Sequence, residues 1–146
     1  MKPDLHEAFN NWGNALLALA RIKLDENFFL QSFDKYQKSI SIKPDKHSAF
    51  NNWGSALLGI FQLTKNHEYL DQAKTVLGTA EKLDPDKVYN QACLYSILDE
   101  NDNCREKLLH CKQSNTLPDK NFLMQDRDLD NIRNEPWFKE LLNSIE

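Results

Sequence analysis

Three cysteines are the residues of this chain that most readily suggest chemistry. Ten and six residues separate Cys93, Cys104 and Cys111, whereas structural zinc sites usually place paired cysteines about two to four residues apart. Thiols at small-residue positions of a helix pack as small hydrophobic side chains. An odd number of cysteines cannot pair completely, which is typical of a reducing compartment. We therefore predict that the three thiols lie in the core and hold no metal.

Histidines and aspartates form a second set of candidates. His6 and His47 lie 41 positions apart, one repeat unit from each other, and we expect them to be solvated or to act near helix starts. Asp126, Asp128 and Asp130 alternate as in an EF-hand loop, but the central glycine is missing, which favours an acidic helix-capping turn. The sequence contains no phosphate-binding glycine loop, nucleophile elbow or metalloprotease histidine pair. We predict a protein that is not an enzyme, with no catalytic residue, metal or cofactor.

Composition excludes some partners. The 146 residues carry 18 basic and 22 acidic side chains, a net charge of −4, which argues against a nucleic-acid binder with a basic surface. The longest apolar run, Ala15–Ala20, is far shorter than the roughly 20 residues of a membrane span. No apolar signal region opens the sequence. We expect a cytoplasmic protein without nucleic-acid or membrane partners.

The elements that would position these residues come from an internal repeat. FNNWG occurs at Phe9–Gly13 and again at Phe50–Gly54, an offset of 41. Aligning residues 2–17 with 43–58 gives 13 identities in 16 positions, and prolines at positions 3, 44 and 85 keep the same period. A fixed period of this length indicates a tandem array of supersecondary units.

Each unit is predicted to be a pair of helices. Apolar residues at positions 50, 53, 57, 58 and 61 follow the spacing of an amphipathic helix. Asp4, Asp45 and Asp86 precede the first helix of their units, and Asp25 and Asn66 precede the second. Asp and Asn side chains accept hydrogen bonds from the free N–H groups of a helix start, so we expect all five to be N-caps.

This pattern resembles the tetratricopeptide repeat (TPR), with long repeats of a bacterial type. The first unit carries the resemblance at Phe9, Trp12, Gly13, Leu16, Ser32, Tyr36, Ser39 and Pro44. The usual TPR period is about 34 residues, and the difference of seven predicts about one extra turn on each helix. The resemblance implies an all-α fold, a right-handed superhelical stack of antiparallel helix pairs (an α-solenoid) with a C-terminal capping helix.

The domain organisation follows from the period. We expect one TPR-like domain over residues 1–146, with repeats at about 4–44 and 45–85, a degenerate repeat at about 86–118 and a cap at about 119–146. The segment from Asp126 onward resembles the one that closes bacterial TPR arrays, and it supplies an apolar lid that an array needs. The first repeat lacks a polar cap, which leaves open that the chain is the C-terminal part of a longer array.

Asparagines on the first helices are the candidate binding residues. In the TPR family these positions face a concave groove, so the resemblance implies a groove that binds a protein or peptide. The groove residues would be Asn10, Asn11, Asn14, Asn51, Asn52, Ser55, Lys87, Asn90 and Gln91. An amide both donates and accepts hydrogen bonds, and a ladder of them can pair with a peptide backbone. The alternative is that these amides bond neighbouring helices and stabilise the stack.

The sequence therefore predicts a non-enzymatic protein-interaction module or scaffold. The alternative is a structural or assembly subunit that self-associates into a homodimer, or packs on further repeats, through the open edge of the first repeat.

Overall fold

A computed structural model describes residues 4–145, so Pro3 of the repeat register lies outside the described residues. The helices are α1 (Leu5–Lys23), α2 (Glu26–Ile42), α3 (His47–Thr64), α4 (His67–Leu83), α5 (Tyr89–Ile97), α6 (Asn101–Gln113), α7 (Lys120–Gln125), a 3₁₀ helix (Arg127–Ile132) and α8 (Pro136–Asn143). Residues 4–145 contain no strand, and the predicted all-α, TPR-like fold is confirmed. None of these helices has the length and apolarity that crossing a membrane needs.

The chain divides into two compact units, Met1–Leu83 and Asp84–Glu146. In the first unit α1 packs on α2, α2 on α3, and α3 on α4. Short turns join successive helices, so neighbours run antiparallel. The four helices contain 19, 17, 18 and 17 residues.

Glycines set how closely the paired helices approach. A Cβ added at Gly13 would lie 2.6 Å from Cε1 of Tyr36, and a Cβ at Gly54 would overlap the side chain of Leu77. Tyr36 and Leu77 are 41 residues apart, as are the two glycines. The same glycine therefore brings the helices together in each pair, as a TPR-like repeat requires.

The turns inside the two pairs also repeat. Leu24 and Lys65 end α1 and α3 in the left-handed region, with φ of 51° and 58°. The next residue then caps the following helix: Asp25 Oδ1 accepts from the backbone N of Asn27 at 2.9 Å, and Asn66 Oδ1 accepts from the backbone N of Glu68 at 3.1 Å. The predicted N-caps of both second helices are confirmed.

The expected caps of the first helices are wrong. Asp4 occupies the N-cap position of α1 but makes no capping hydrogen bond, because its Oδ1 lies 2.5 Å from Nδ1 of His6. Helix α3 begins after Lys46, so Asp45 lies one residue too early. Helix α5 begins only at Tyr89 and leaves Asp86 outside.

The second unit buries the predicted lid. Leu129, Ile132, Phe138 and Leu141 are all at most 4% exposed. The predicted acidic turn is confirmed as a cap, because Asp126 Oδ1 accepts from the backbone N of Asp128 at the start of the 3₁₀ helix. The three cysteines, on α5 and α6, are free and at most 1% exposed, as core packing predicts.

Candidate functional site

Hydrogen bonds between helices engage part of the asparagine set. Asn52 on α3 donates from Nδ2 to Oδ1 of Asn10 on α1 at 3.1 Å. The Tyr36 hydroxyl on α2 donates to Oδ1 of Asn14 on α1 at 2.8 Å. A net hydrogen bond of this kind stabilises a fold by about 1 kcal/mol. These contacts favour the alternative in which the amides hold the helices together.

Ser55 also bridges two helices. Its Oγ accepts a hydrogen bond of 2.8 Å from a guanidinium nitrogen of Arg21 near the end of α1. Arg21 was missed by the sequence analysis, although it lies seven residues after Asn14 and therefore on the same side of α1. The α1–α3 surface thus carries an arginine as well as amides.

Asn11 differs from its neighbours. Its side chain is exposed on α1, and its amide makes no hydrogen bond to any other described residue. Asn51, the corresponding position to Asn10, is half-buried and already has an interaction partner. Among the first-unit amides, Asn11 therefore keeps its donor and acceptor available for a ligand.

The predicted residues of the second unit are placed differently. Lys87 is exposed in the turn before α5, with its Nζ 3.9 Å from Asp84, and Asn90 is half-buried near the start of α5. Gln91 is only 5% exposed. Helix α5 has nine residues, and α6 and the 3₁₀ helix pack on it. The expected groove position of Gln91 is corrected, since its side chain lies in the interior of the second unit and offers little surface to a partner.

Buried groups near Cys93 form a hydrogen-bonded cluster. The Tyr89 hydroxyl donates to Oδ2 of Asp126 at 2.5 Å, and the Cys93 thiol lies 3.7 Å from the same oxygen. Burial, together with the nearby carboxylates, raises the pKa of the Cys93 thiol well above its usual value. The thiol is therefore held protonated, as a hydrogen-bond donor to Asp126.

Among residues 4–145, donor atoms in two places lie close enough together to suit a cation. The groups are Asp4 with His6 and Glu7, and Cys93 with Asp126 and Asp128; the donor atoms within each lie within 4.8 Å of one another. Hydrogen bonds and the His6 contact already use Asp4 and Asp126. Of the two roles expected for His6, the one near a helix start fits the structure: its side chain is only 5% exposed, and its Nδ1 contacts Asp4 at the N-cap position of α1. The Ser39 hydroxyl donates to the backbone oxygen of His6.

Comparison with known proteins supplies the family. The family model described as plant-specific mitochondrial import receptor subunit TOM20 matches residues 1–117. No curated protein and no solved structure matches the chain. The expected bacterial type of repeat is not confirmed by this match.

The family description also bears on function and location. A receptor subunit binds other proteins, which supports the predicted protein-binding role. The expected cytoplasmic location is wrong, because the matching family consists of mitochondrial import receptor subunits. The absence of an apolar span and of a signal region does not report which membrane surface a protein serves. The match extends over both full repeats and nearly all of the third, and the chain therefore belongs to the plant-specific TOM20 family of mitochondrial import receptor subunits.

Proposed function

We propose that this chain acts as a receptor that binds a segment of proteins destined for mitochondria, and that the α1–α3 surface of its first unit holds that segment. The observation that carries the placement is the exposed amide of Asn11, which lies at the edge of this surface on the side of α1 away from α3 and which no described residue engages. The family membership supports a binding role rather than catalysis.

The chemistry of the segment follows from its destination. Targeting segments of mitochondrial proteins are amphipathic, rich in arginine and poor in acidic residues. The α1–α3 surface carries Glu7 and Arg21, one charge of each sign, beside its amides. Recognition would therefore depend on amide hydrogen bonds and apolar contact more than on ion pairs. Binding should be only weakly sensitive to salt, since screening acts on charges.

The residues of the surface take two roles in this proposal. Asn11 contacts the ligand directly. The remaining residues of the first unit support the surface: Asn10, Asn52 and Ser55 join α1 to α3, Asn14 joins α1 to α2, and Asn51 lies beside them on α3. Lys87 and Asn90 are retained as candidate contacts of the second unit, considered by itself.

A peptide-binding measurement tests the proposal. The probe is a fluorescein-labelled synthetic peptide with leucines on one helical face and arginines on the other, and its control is a peptide of the same composition in permuted order. Fluorescence anisotropy with the full chain should show binding of the amphipathic peptide only. Preference for neither peptide would contradict the receptor function.

A variant tests the placement. Asn11→Ala should raise the Kd for the amphipathic peptide about three- to tenfold, the equivalent of one hydrogen bond. Asn103→Ala, which removes an exposed amide from α6 of the second unit, is the matched control and should leave the Kd unchanged. An unchanged Kd for Asn11→Ala would contradict the α1–α3 site while leaving the receptor function intact.

A further inference from the structure

One face of α1 exposes apolar side chains along its whole length. Leu5, Trp12, Leu19 and Ile22 are 60%, 52%, 40% and 76% exposed. Ala8 and Ala15 lie between them and are also exposed. The six positions are spaced alternately by three and four residues, the spacing of a helix face that packs against another helix. We call these six residues the open face of α1.

The second repeat shows what such a face does. One period later, Ala49, Ala56 and Ile60 occupy the positions of Ala8, Ala15 and Leu19 on α3, and they are at most 1% exposed. Helix α2 packs against α3. The equivalent face is thus a helix-packing surface in α3, whereas in α1 no described helix covers it.

The large and small side chains along the open face are complementary to those on the same face of a second copy of the chain. If two α1 helices cross antiparallel about a point between Trp12 and Ala15, Trp12 of one copy lies opposite Ala15 of the other. Ala8 then lies opposite Leu19, and Leu5 opposite Ile22. Small residues opposite large ones allow the two surfaces to interdigitate. A parallel arrangement would oppose Trp12 to Trp12 and alanine to alanine, which crowds one layer and leaves gaps in others.

Charge favours the same orientation. Asp4 directly precedes the first residue of the open face, and Lys23 directly follows its last. An antiparallel pair brings the acidic end of each helix to the level of the basic end of the other. The helix dipoles then also oppose each other. A parallel pair would place like charges at the same level, which disfavours association.

A groove beside Trp12 provides room for the contact. It has a volume of about 510 Å³ and is lined by Trp12, Asn27, Leu30, Gln31, Asp34 and Lys35. The Lys35 ammonium lies 3.8 Å from the centroid of the Trp12 ring, which fixes the orientation of the indole. We propose that the open face of α1 binds the open face of a second copy of this chain in an antiparallel, two-fold symmetric pair.

Sedimentation velocity with the full chain tests the proposal. Across concentrations from about 1 to about 500 µM, a span that covers weak specific association, the sedimentation coefficient should rise from that of a monomer to that of a dimer. Ala15→Glu should raise the dimer Kd at least about a hundredfold, because an unpaired carboxylate would be buried against Trp12 of the other copy. Ala18→Glu is the matched control, since Ala18 is an exposed alanine of the same helix about a quarter turn from the open face. Its Kd should change by less than about threefold.

Cross-linking tests the orientation. An equimolar mixture of the Ala8→Cys and Leu19→Cys variants should form a covalent dimer with a short bis-maleimide, and neither variant should do so alone. The native cysteines are buried and should not compete.

Three results would overturn the proposal. One is a monomer at every concentration. If, in that case, Ala15→Glu weakens binding of the amphipathic peptide, the open face binds a partner helix and not a second copy. Another is a dimer that Ala15→Glu leaves intact. The third is a cross-link formed by either cysteine variant alone, which would indicate a parallel pair.

Discussion

Asn52 donates a 3.1 Å hydrogen bond to Asn10, a residue 42 positions earlier rather than one repeat period of 41. The repeat-equivalent of Asn52 is Asn11, which is exposed and makes no hydrogen bond to another described residue. Two positions that duplication made identical therefore have different surroundings. Asn52 faces a preceding helix, whereas α1 has none among the described residues.

This difference predicts unequal effects of the two alanine substitutions on the free energy of unfolding. Asn52→Ala should lower the free energy of unfolding by about 1 kcal/mol, because it removes a half-buried hydrogen bond. Asn11→Ala should change it by less than about 0.5 kcal/mol, as for an exposed surface position. Urea unfolding followed by circular dichroism measures both variants. Equal losses would show that the two amides share one structural role.

The surroundings of Gly54 and Gly78 predict different effects of an alanine substitution on stability. Gly54→Ala should lower the free energy of unfolding by about 1–3 kcal/mol, because the added methyl group overlaps the Leu77 side chain and must displace it. Gly78→Ala is the control: it is also within a helix, but an added Cβ there meets nothing within 4 Å. It should stabilise the protein by about 0.5–1 kcal/mol through helix propensity. Thermal unfolding of the two variants distinguishes packing from propensity, and a stabilised Gly54→Ala would refute the close approach.

The hydrogen bond from Tyr89 to Asp126 predicts a loss of stability when the Tyr89 hydroxyl is removed. Burial, and then the neighbouring Cys93 and Asp126, raise the pKa of the Tyr89 hydroxyl, so it remains a donor. Tyr89→Phe should cost about 1.5–3 kcal/mol, as expected for a hydrogen bond to a charged group. Tyr95→Phe, on the same helix, is the control and should cost less than about 0.5 kcal/mol. Hydrogen exchange of the α5 amides should report the difference, and matching protection in the two variants would contradict it.

The raised pKa of the buried Cys104 thiol predicts that the protein becomes less stable at alkaline pH. Burial raises the pKa of its thiol from 9.0 to about 12. The thiol is protonated in both states below about pH 9, and above that pH it ionises first in the unfolded chain. The unfolded chain then binds fewer protons, so this contribution to stability is lost as pH rises from about 9 to about 12, by at most about 1.4 kcal/mol per pH unit.

The measurement compares urea unfolding of wild type and Cys104→Ala across this range. The variant should show a shallower decline with pH above about 9, although its stability is lower at neutral pH because a buried side chain has been shortened. Between pH 6 and pH 8, where no thiol contribution to the slope is expected, the two curves should run parallel. A variant that keeps the full alkaline slope would show that another group causes it.

The fold could be predicted because the repeat preserves local signals. Gly13 and Gly54 mark helix contacts that depend only on the absence of a side chain, and Asp25 and Asn66 cap helices through bonds that reach two residues along the chain. Such interactions can be read from sequence spacing. The helix pairs therefore follow from the sequence.

The site was less predictable because its residues depend on neighbouring helices. Nothing in the sequence around Asp4 shows that the His6 imidazole takes its carboxylate away from the helix start. Nor does helix periodicity show that Gln91 is buried, because α5 is short and the elements that cover it come later in the chain. The resemblance to TPR proteins implies one groove surface for all these amides, whereas in the structure some of them are exposed and others are buried.

The Tyr89–Asp126 hydrogen bond has a consequence for where this protein can be cut. The family match ends at residue 117. Asp126 lies beyond that end, yet it accepts a hydrogen bond from the hydroxyl of Tyr89, on helix α5 inside the matched range. The following 3₁₀ helix packs directly on that helix. A fragment that stops at the family boundary would expose the apolar side of α5 and leave a tyrosine without its acceptor. A recombinant version intended for binding studies should therefore extend through α8, and a relative without these residues would need another means of covering α5.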